Sequence, residues 1–230
     1  MPKAPCDRHN REILIALEAT GHMQAHTSRD AAMAAFALLA VAVFVLVCAS
    51  VQVIRNDLDP INAPLSFYLT GGFGAAVRLA YYVLSAGLIA LAWAAFRATV
   101  THRRSAAPAL LFIAAGIALV PVAATAPFAV DGAPHADFAR FVHGVAAQAT
   151  FLCVTVAMLL QSWHWWSDPS FSRCRGLRMV LAAAAFAALW VNALMRYWPR
   201  GLTQKVLIVL ILAWLGWASW QAFRVLRRND

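Results

Sequence analysis

The chain has 230 residues, of which 62% are hydrophobic and only 13% charged, with a formal net charge of +9. Soluble domains average roughly 45–50% apolar and about 25% charged residues, so these values exclude an ordinary water-soluble fold, and equally a disordered chain, which needs low hydrophobicity. A pI near 10.3 would suggest nucleic acid if the basic residues formed one patch, but they are scattered between long apolar runs. No nucleic-acid partner is expected, and the lipid bilayer is.

In chain order, residues 1–30 come first. They include Asp7, Glu12, Glu18 and Asp30 and read as a loosely ordered cytoplasmic tail, although Ile13, Leu14 and Leu17 could share one helical face. This polar flank and the length of the apolar run after it favour an uncleaved anchor over a signal peptide. Six segments reach the roughly 20 apolar residues needed to cross a bilayer: 31–53, 73–96, 108–130, 138–161, 177–195 and 206–223. Their apolar residues are continuous, not alternating, which selects helices over a closed barrel. The expected fold is all-α, an integral membrane bundle of six transmembrane helices occupying 31–224, with a short closing tail at 225–230 and no separate folded domain.

Lys and Arg set the orientation. Thirteen of the 19 basic residues lie in the two tails and the second and fourth loops, which places both termini in the cytoplasm of a bacterial inner-membrane protein. The fifth connection, with Arg200 and Lys205, is basic yet assigned to the outside. Trp163, Trp165, Trp166, Trp217 and Trp220 mark the inner interface, and Tyr197 and Trp198 the outer one. Trp190 and Trp214 read as packing or lipid contacts. Cys6, Cys48, Cys153 and Cys174 form no CxxC motif and no pair on the outer face, so inert thiols are expected.

Ionisable groups within a bilayer each cost about 2.5–3.5 kcal/mol at a helix centre, so they carry the functional signal. Helical spacing puts Arg78, Tyr82 and Ser85 on one face of the second span, and Arg140, His143 and Thr150 on one stripe of the fourth. Asn192 and Arg196 end the fifth span, four residues apart. With Ser66, Tyr68 and Asp131 from the loops, these residues would line an outward-facing polar pocket carrying both signs of charge. The arginines equally suit snorkelling to headgroups, and His143 suits a hydrogen-bonded core histidine. Asp131, His135 and His143 supply ligand types for a metal, but their spacing matches no known ligand pattern. Haem would need histidines on facing helices, whereas His102 and His164 read as loop residues. Gly72-x-Gly74 mimics a dinucleotide motif without the preceding strand that such a motif requires. No cofactor is expected.

Pro64-Leu65-Ser66-Phe67-Tyr68, Gly72-Phe73-Gly74 at the start of the second span, and Gly201-Leu202-Thr203-Gln204-Lys205 before the last together resemble a bacterial family known as domain of unknown function 998. The resemblance covers about residues 31–224. It implies six spans, a Pro/Ser-containing first outer loop, an aspartate after the third span (Asp131) and a histidine early in the fourth (His143). Phe128-Ala129-Val130-Asp131 is longer than the turn expected there. The family implies no reaction. The residues themselves favour a protein that binds or moves a small polar or amphipathic molecule, or a lipid headgroup, over an intramembrane metal-dependent hydrolase using Asp131, His135 and His143, or a non-catalytic assembly factor. No inverted repeat of the kind that marks secondary transporters is evident. The oligomeric state cannot be read.

Overall fold

A computed structural model describes residues 6–195 and 197–228, with side chains from residue 28 onward. The described chain is helical throughout: α1 (Cys6–Ile54), α2 (Gly74–Ala98), α3 (Ala106–Thr125), α4 (Ala136–His164), α5 (Arg175–Leu194) and α6 (Arg200–Arg228), with 3-10 turns at Leu65–Leu69, Thr101–Arg103, Ala126–Phe128 and Pro169–Phe171. Each of the six helices holds a stretch long and apolar enough to span a membrane, so the protein is a multi-pass membrane protein. The start of the first span, the end of α6 and the loops α2–α3 and α4–α5 lie at one end of the bundle, termed the terminal end. The loops α1–α2, α3–α4 and α5–α6 lie at the other, distal end.

Three boundaries differ from the sequence reading. α1 starts at Cys6, so the segment read as a loose tail is helical and continuous with the first span. Its run Arg11-Glu12-Ile13-Leu14-Ile15-Ala16-Leu17-Glu18 contains no breaker and is rich in good helix formers. α6 starts at Arg200, which moves Lys205 from a loop onto a helix. α3 ends at Thr125, shorter than the apolar run, although Pro121 lies inside it. The Thr125 hydroxyl donates to the Pro121 carbonyl at 2.7 Å.

The helices pack in chain order around a closed ring, with α2 also touching α6. α2 is the most buried span and α5 the least. Membrane helices approach closely where small residues meet, and α2 has two such contacts. A Cβ on Gly87 would lie 2.5 Å from the Ala40 Cβ of α1. On the α3 side the Ser85 hydroxyl donates to the Gly116 carbonyl at 2.7 Å. Large apolar side chains such as Leu39, Leu79, Leu110, Phe138 and Val209 face outward, as a lipid-exposed surface requires. Trp190 is among them, whereas Trp214 is buried and its indole N–H donates to the Ser162 hydroxyl at 3.0 Å.

The terminal end is held by buried polar groups. Asp30 accepts from the Trp93 indole at 2.8 Å and from Arg97 Nε at 2.7 Å. Arg178, one of the thirteen basic residues that the sequence assigns to the tails and the second and fourth loops, is only 1% exposed. Its guanidinium carbon lies 5.3 Å from the Trp165 ring centre and 5.9 Å from that of Phe171. It donates to Gln221 Oε1 at 2.7 Å and to the Phe171 carbonyl at 3.2 Å, so it ties the α4–α5 loop to α6. Burial of a cation without a carboxylate in hydrogen-bond contact is tolerated because carbonyls and ring faces solvate it.

Gly87→Val should force α1 and α2 apart and cost about 1–3 kcal/mol through overpacking. The check is the thermal unfolding midpoint in detergent, and an unchanged midpoint would contradict the close α1–α2 contact.

Candidate functional site

The first loop folds back over the distal end of the bundle. In and beside a bilayer every backbone polar group must find a protein partner, and here cations supply the donors. Arg55 donates to the Thr70 carbonyl at 2.8 Å and, through two nitrogens, to Asp57 at 2.7 and 2.6 Å. Arg78 donates to the Leu69 carbonyl at 2.8 Å. Lys205 donates to the Pro60 carbonyl at 2.6 Å and lies 5.3 Å from the Tyr68 ring centre. The Leu65 N–H donates to Gln204 Oε1 at 2.8 Å, and the Leu202 N–H to the Ile61 carbonyl at 2.8 Å. Two glycines permit this closeness. A Cβ on Gly201 would lie 2.6 Å from the carbonyls of Ile61 and Ala63, and one on Gly74 2.5 Å from that of Leu69.

Beneath the loop lies a cavity of about 70 Å³. Ser66, Gln204 and His143 line its distal end, and Leu88, Val154 and Leu215 its deep end. Eleven helical residues separate His143 from Val154, and eleven separate Gln204 from Leu215. At 1.5 Å per residue that is about 16 Å, half of a hydrocarbon core roughly 30 Å thick. The space is therefore a narrow slot one leaflet deep. Its wall is mostly apolar, with Phe44, Leu84, Leu119 and Ile208 among the lining residues. α5 contributes nothing to that wall. The buried residues of α5 end at Leu189, residues 190–195 are exposed or half-buried, and α4 and α6 barely meet one another.

His143 carries a defined tautomer. Its Nδ1 lies 2.9 Å from the Val122 carbonyl, in the last turn of α3, where carbonyls lack intrahelical partners. A carbonyl only accepts, so Nδ1 holds the proton, and in the neutral ring Nε2 is left as an acceptor. Thr150 also lines the slot, with its hydroxyl bonded back to the Ala146 carbonyl at 2.9 Å.

The residues expected to share a pocket are dispersed. Ser66 and His143 line the slot. Tyr68 is fully buried in the first loop, and its hydroxyl has no partner among the described residues. Arg78 is occupied by the loop backbone. Tyr82 is 37% exposed on the lipid side, while its neighbour Tyr81 lines the slot. Asp131 is almost fully exposed and pairs with Arg140 at 2.6 Å, and Arg140 also holds Asp137 at 2.7 Å. Asn192 accepts from the Thr203 hydroxyl at 3.0 Å, joining α5 to α6. Arg196 lies outside the described residues. Among the described residues the space is an apolar slot with a polar mouth and not the expected polar pocket with both signs of charge, because Arg78 and Arg140 are spent on a carbonyl and on aspartates. Asp131, His135 and His143 do not gather into a metal-holding group among the described residues. His135 is exposed, and His143 is turned to Val122. The lining residue Gln204 was quoted in a motif but given no role, since sequence alone does not show which side of α6 faces the slot.

The motifs of the first loop and of the α6 start thus meet at one place. A family model described as "Protein of unknown function (DUF998)" matches residues 22–221. The chain belongs to this family. No curated protein and no solved structure matches it. In this family member the matched region takes in the first five spans, the sixth as far as residue 221, and the whole loop-and-slot assembly.

The first loop has its own acid sensitivity. Backbone hydrogen bonding from Ile61 and the Asn62 side chain hold the Asp59 carboxyl below its ordinary value, and the Arg55 guanidinium does the same for Asp57. Burial pushes the Tyr68 phenol up. A carboxylate with a lowered folded pKa stabilises above its unfolded value, near ~3.9, and loses that contribution as pH falls further. Amide exchange at Ile61 and Ala63, corrected for intrinsic rates, should show steady protection above pH ~4 and falling protection below it. Constant protection down to pH ~2 would count against the Asp59 turn as a clasp.

Proposed function

We propose that the protein binds one acyl chain of an amphipathic lipid in the distal slot, with the lipid's polar head at Ser66, His143 and Gln204. The observation that carries this reading is the shape of the slot: one leaflet deep, with a mostly apolar wall in which the deeper Thr150 hydroxyl is spent on its own helix, and with Ser66, His143 and Gln204 at its mouth. A soluble polar solute would meet mostly hydrocarbon. An anionic solute would find Arg78 and Arg140 already engaged. A lipid chain matches the lining, while the Nε2 acceptor of His143 and the Gln204 amide suit a hydroxyl or amide in the head. The first loop closes the slot from above, so entry is lateral, between the distal halves of α4 and α6 where α5 leans away. On the positive-inside rule both termini face the cytoplasm of a bacterial inner membrane, and the slot then belongs to the outer leaflet.

Two experiments test this. A phospholipid with a photoreactive acyl chain, supplied in phosphatidylcholine vesicles, should label the slot-lining residues Thr150, Phe151, Ile208 and Leu212, and Ala147→Trp, which fills the slot, should lower that labelling about fivefold, about 1 kcal/mol of binding. Even labelling over lipid-facing Phe138 and Val209, unaffected by the substitution, would overturn the assignment. Separately, reporter fusions after residue 101 and at the C-terminus should report cytoplasm, and one near Ala133 the outside; the opposite pattern would reverse the leaflet.

A further inference from the structure

The terminal end carries a second concavity that the slot does not explain. It is a cleft of about 420 Å³ between the Thr101–Arg103 turn and the end of α4. His102, Arg103 and Arg104 line one side, and Trp163, His164 and Trp166 the other. The two histidines that read as loop residues in the sequence therefore share one wall-to-wall site, and His164 is the last residue of α4.

The charge in this cleft is one-sided. No acid lines it. The carboxylate nearest in sequence, Asp168, is 1% exposed and is occupied by the backbone N–H groups of Ser170 and Val100. Arg104 is braced by the carbonyls of Thr99 and Arg97 at 2.9 and 3.1 Å and by the Phe96 ring at 5.6 Å. These contacts fix its position without neutralising it. Arg103 donates through Nε to His102 Nε2 at 3.2 Å, and no carboxylate pairs with it among the described residues. A third cation, Arg175, stacks over Trp166 at 5.6 Å. Trp163 is 71% exposed and Trp166 40%, and exposed indoles at the end of a membrane span sit at headgroup level. An orientation signal needs only a count of positive charges on one side of the bilayer. It does not need them gathered around a hollow between two tryptophans.

We propose that this cleft binds the phosphate of an anionic phospholipid in the leaflet bordering the terminal end. The planar guanidinium of Arg103 matches phosphate oxygens, Arg104 and His164 supply further positive or hydrogen-bonding groups, and the two indoles cover the glycerol region. Free phosphate would use the same cations but not the indoles.

The test uses the full-length protein in detergent, with retained lipid counted by native mass spectrometry after addition of phosphatidylglycerol or phosphatidylcholine. Phosphatidylglycerol should be retained in preference, with Arg103→Gln weakening it about fivefold and Arg103→Glu about 25-fold, the scale expected for one and two units of charge at a membrane surface. Arg227→Gln, which removes a charge from the same end outside the cleft, should change nothing. Trp163→Ala alters an exposed side chain that the fold does not need, and it should also weaken retention. Equal retention of the two lipids, an Arg227→Gln effect as large as that of Arg103→Gln, no response to Trp163→Ala, or displacement by millimolar inorganic phosphate would each overturn the proposal. The last outcome would identify a free-phosphate site.

Discussion

The distal architecture depends on one constraint: the carbonyls of the first loop lie at the edge of a bilayer, and each needs a donor. Water is scarce there, and an unsatisfied backbone group costs several kcal/mol. The chain meets this requirement with Arg55, Arg78 and Lys205, each aimed at a backbone oxygen of residues 60–70. Bonds from a charged donor are roughly twice as strong as neutral ones, so three of them hold a loop that has no strand or long helix of its own. The slot follows from this closure. Without the loop the same helices would present an open trough.

The six spans were legible in the sequence, because continuous hydropathy is a property of whole segments, whereas Trp165, read as an interface marker, is fully buried with its indole N–H donating to the Thr99 hydroxyl at 2.9 Å. The site was legible only in part. His143 stood out because polar groups at membrane depth are rare and therefore conspicuous, and Ser66 because it sits in the Pro64–Tyr68 motif of the first loop. Tyr82 was chosen in place of Tyr81 because helical spacing defines a face but not its rotation, which neighbouring helices set. Arg78 and Arg140 were placed in a polar pocket or at the headgroups, since a sequence shows the charge and not its partner. Their partners turned out to be the Leu69 carbonyl and two aspartates. Arg178 was missed for a similar reason: the signal that a cation will be buried lies in Trp165, Phe171 and Gln221, which are distant from one another in the chain.

The two ends use their cations in opposite ways. At the distal end the arginines with described side chains, apart from Arg200, are consumed by loop carbonyls and by Asp57, Asp131 and Asp137, so the surface there is locally compensated. At the terminal end Asp30 and Asp168 are withdrawn into the bundle, and Arg103 and Arg175 are left without a carboxylate among the described residues. A net charge of +9 is thus expressed mainly on one face.

The Gly87–Ala40 and Ser85–Gly116 contacts fasten α2 to both of its neighbours. With α4 packed along α3, the helices α1, α2, α3, α4 and α6 form a contiguous packed unit, and one helix lies at its flank. That flank is α5, the least buried span, tied at its start by Arg178 and near its far end by Asn192. Compliance in this molecule is therefore lateral, like a loose stave in a barrel. A molecule large enough to fill the slot can leave it without disturbing the helices that carry the loop.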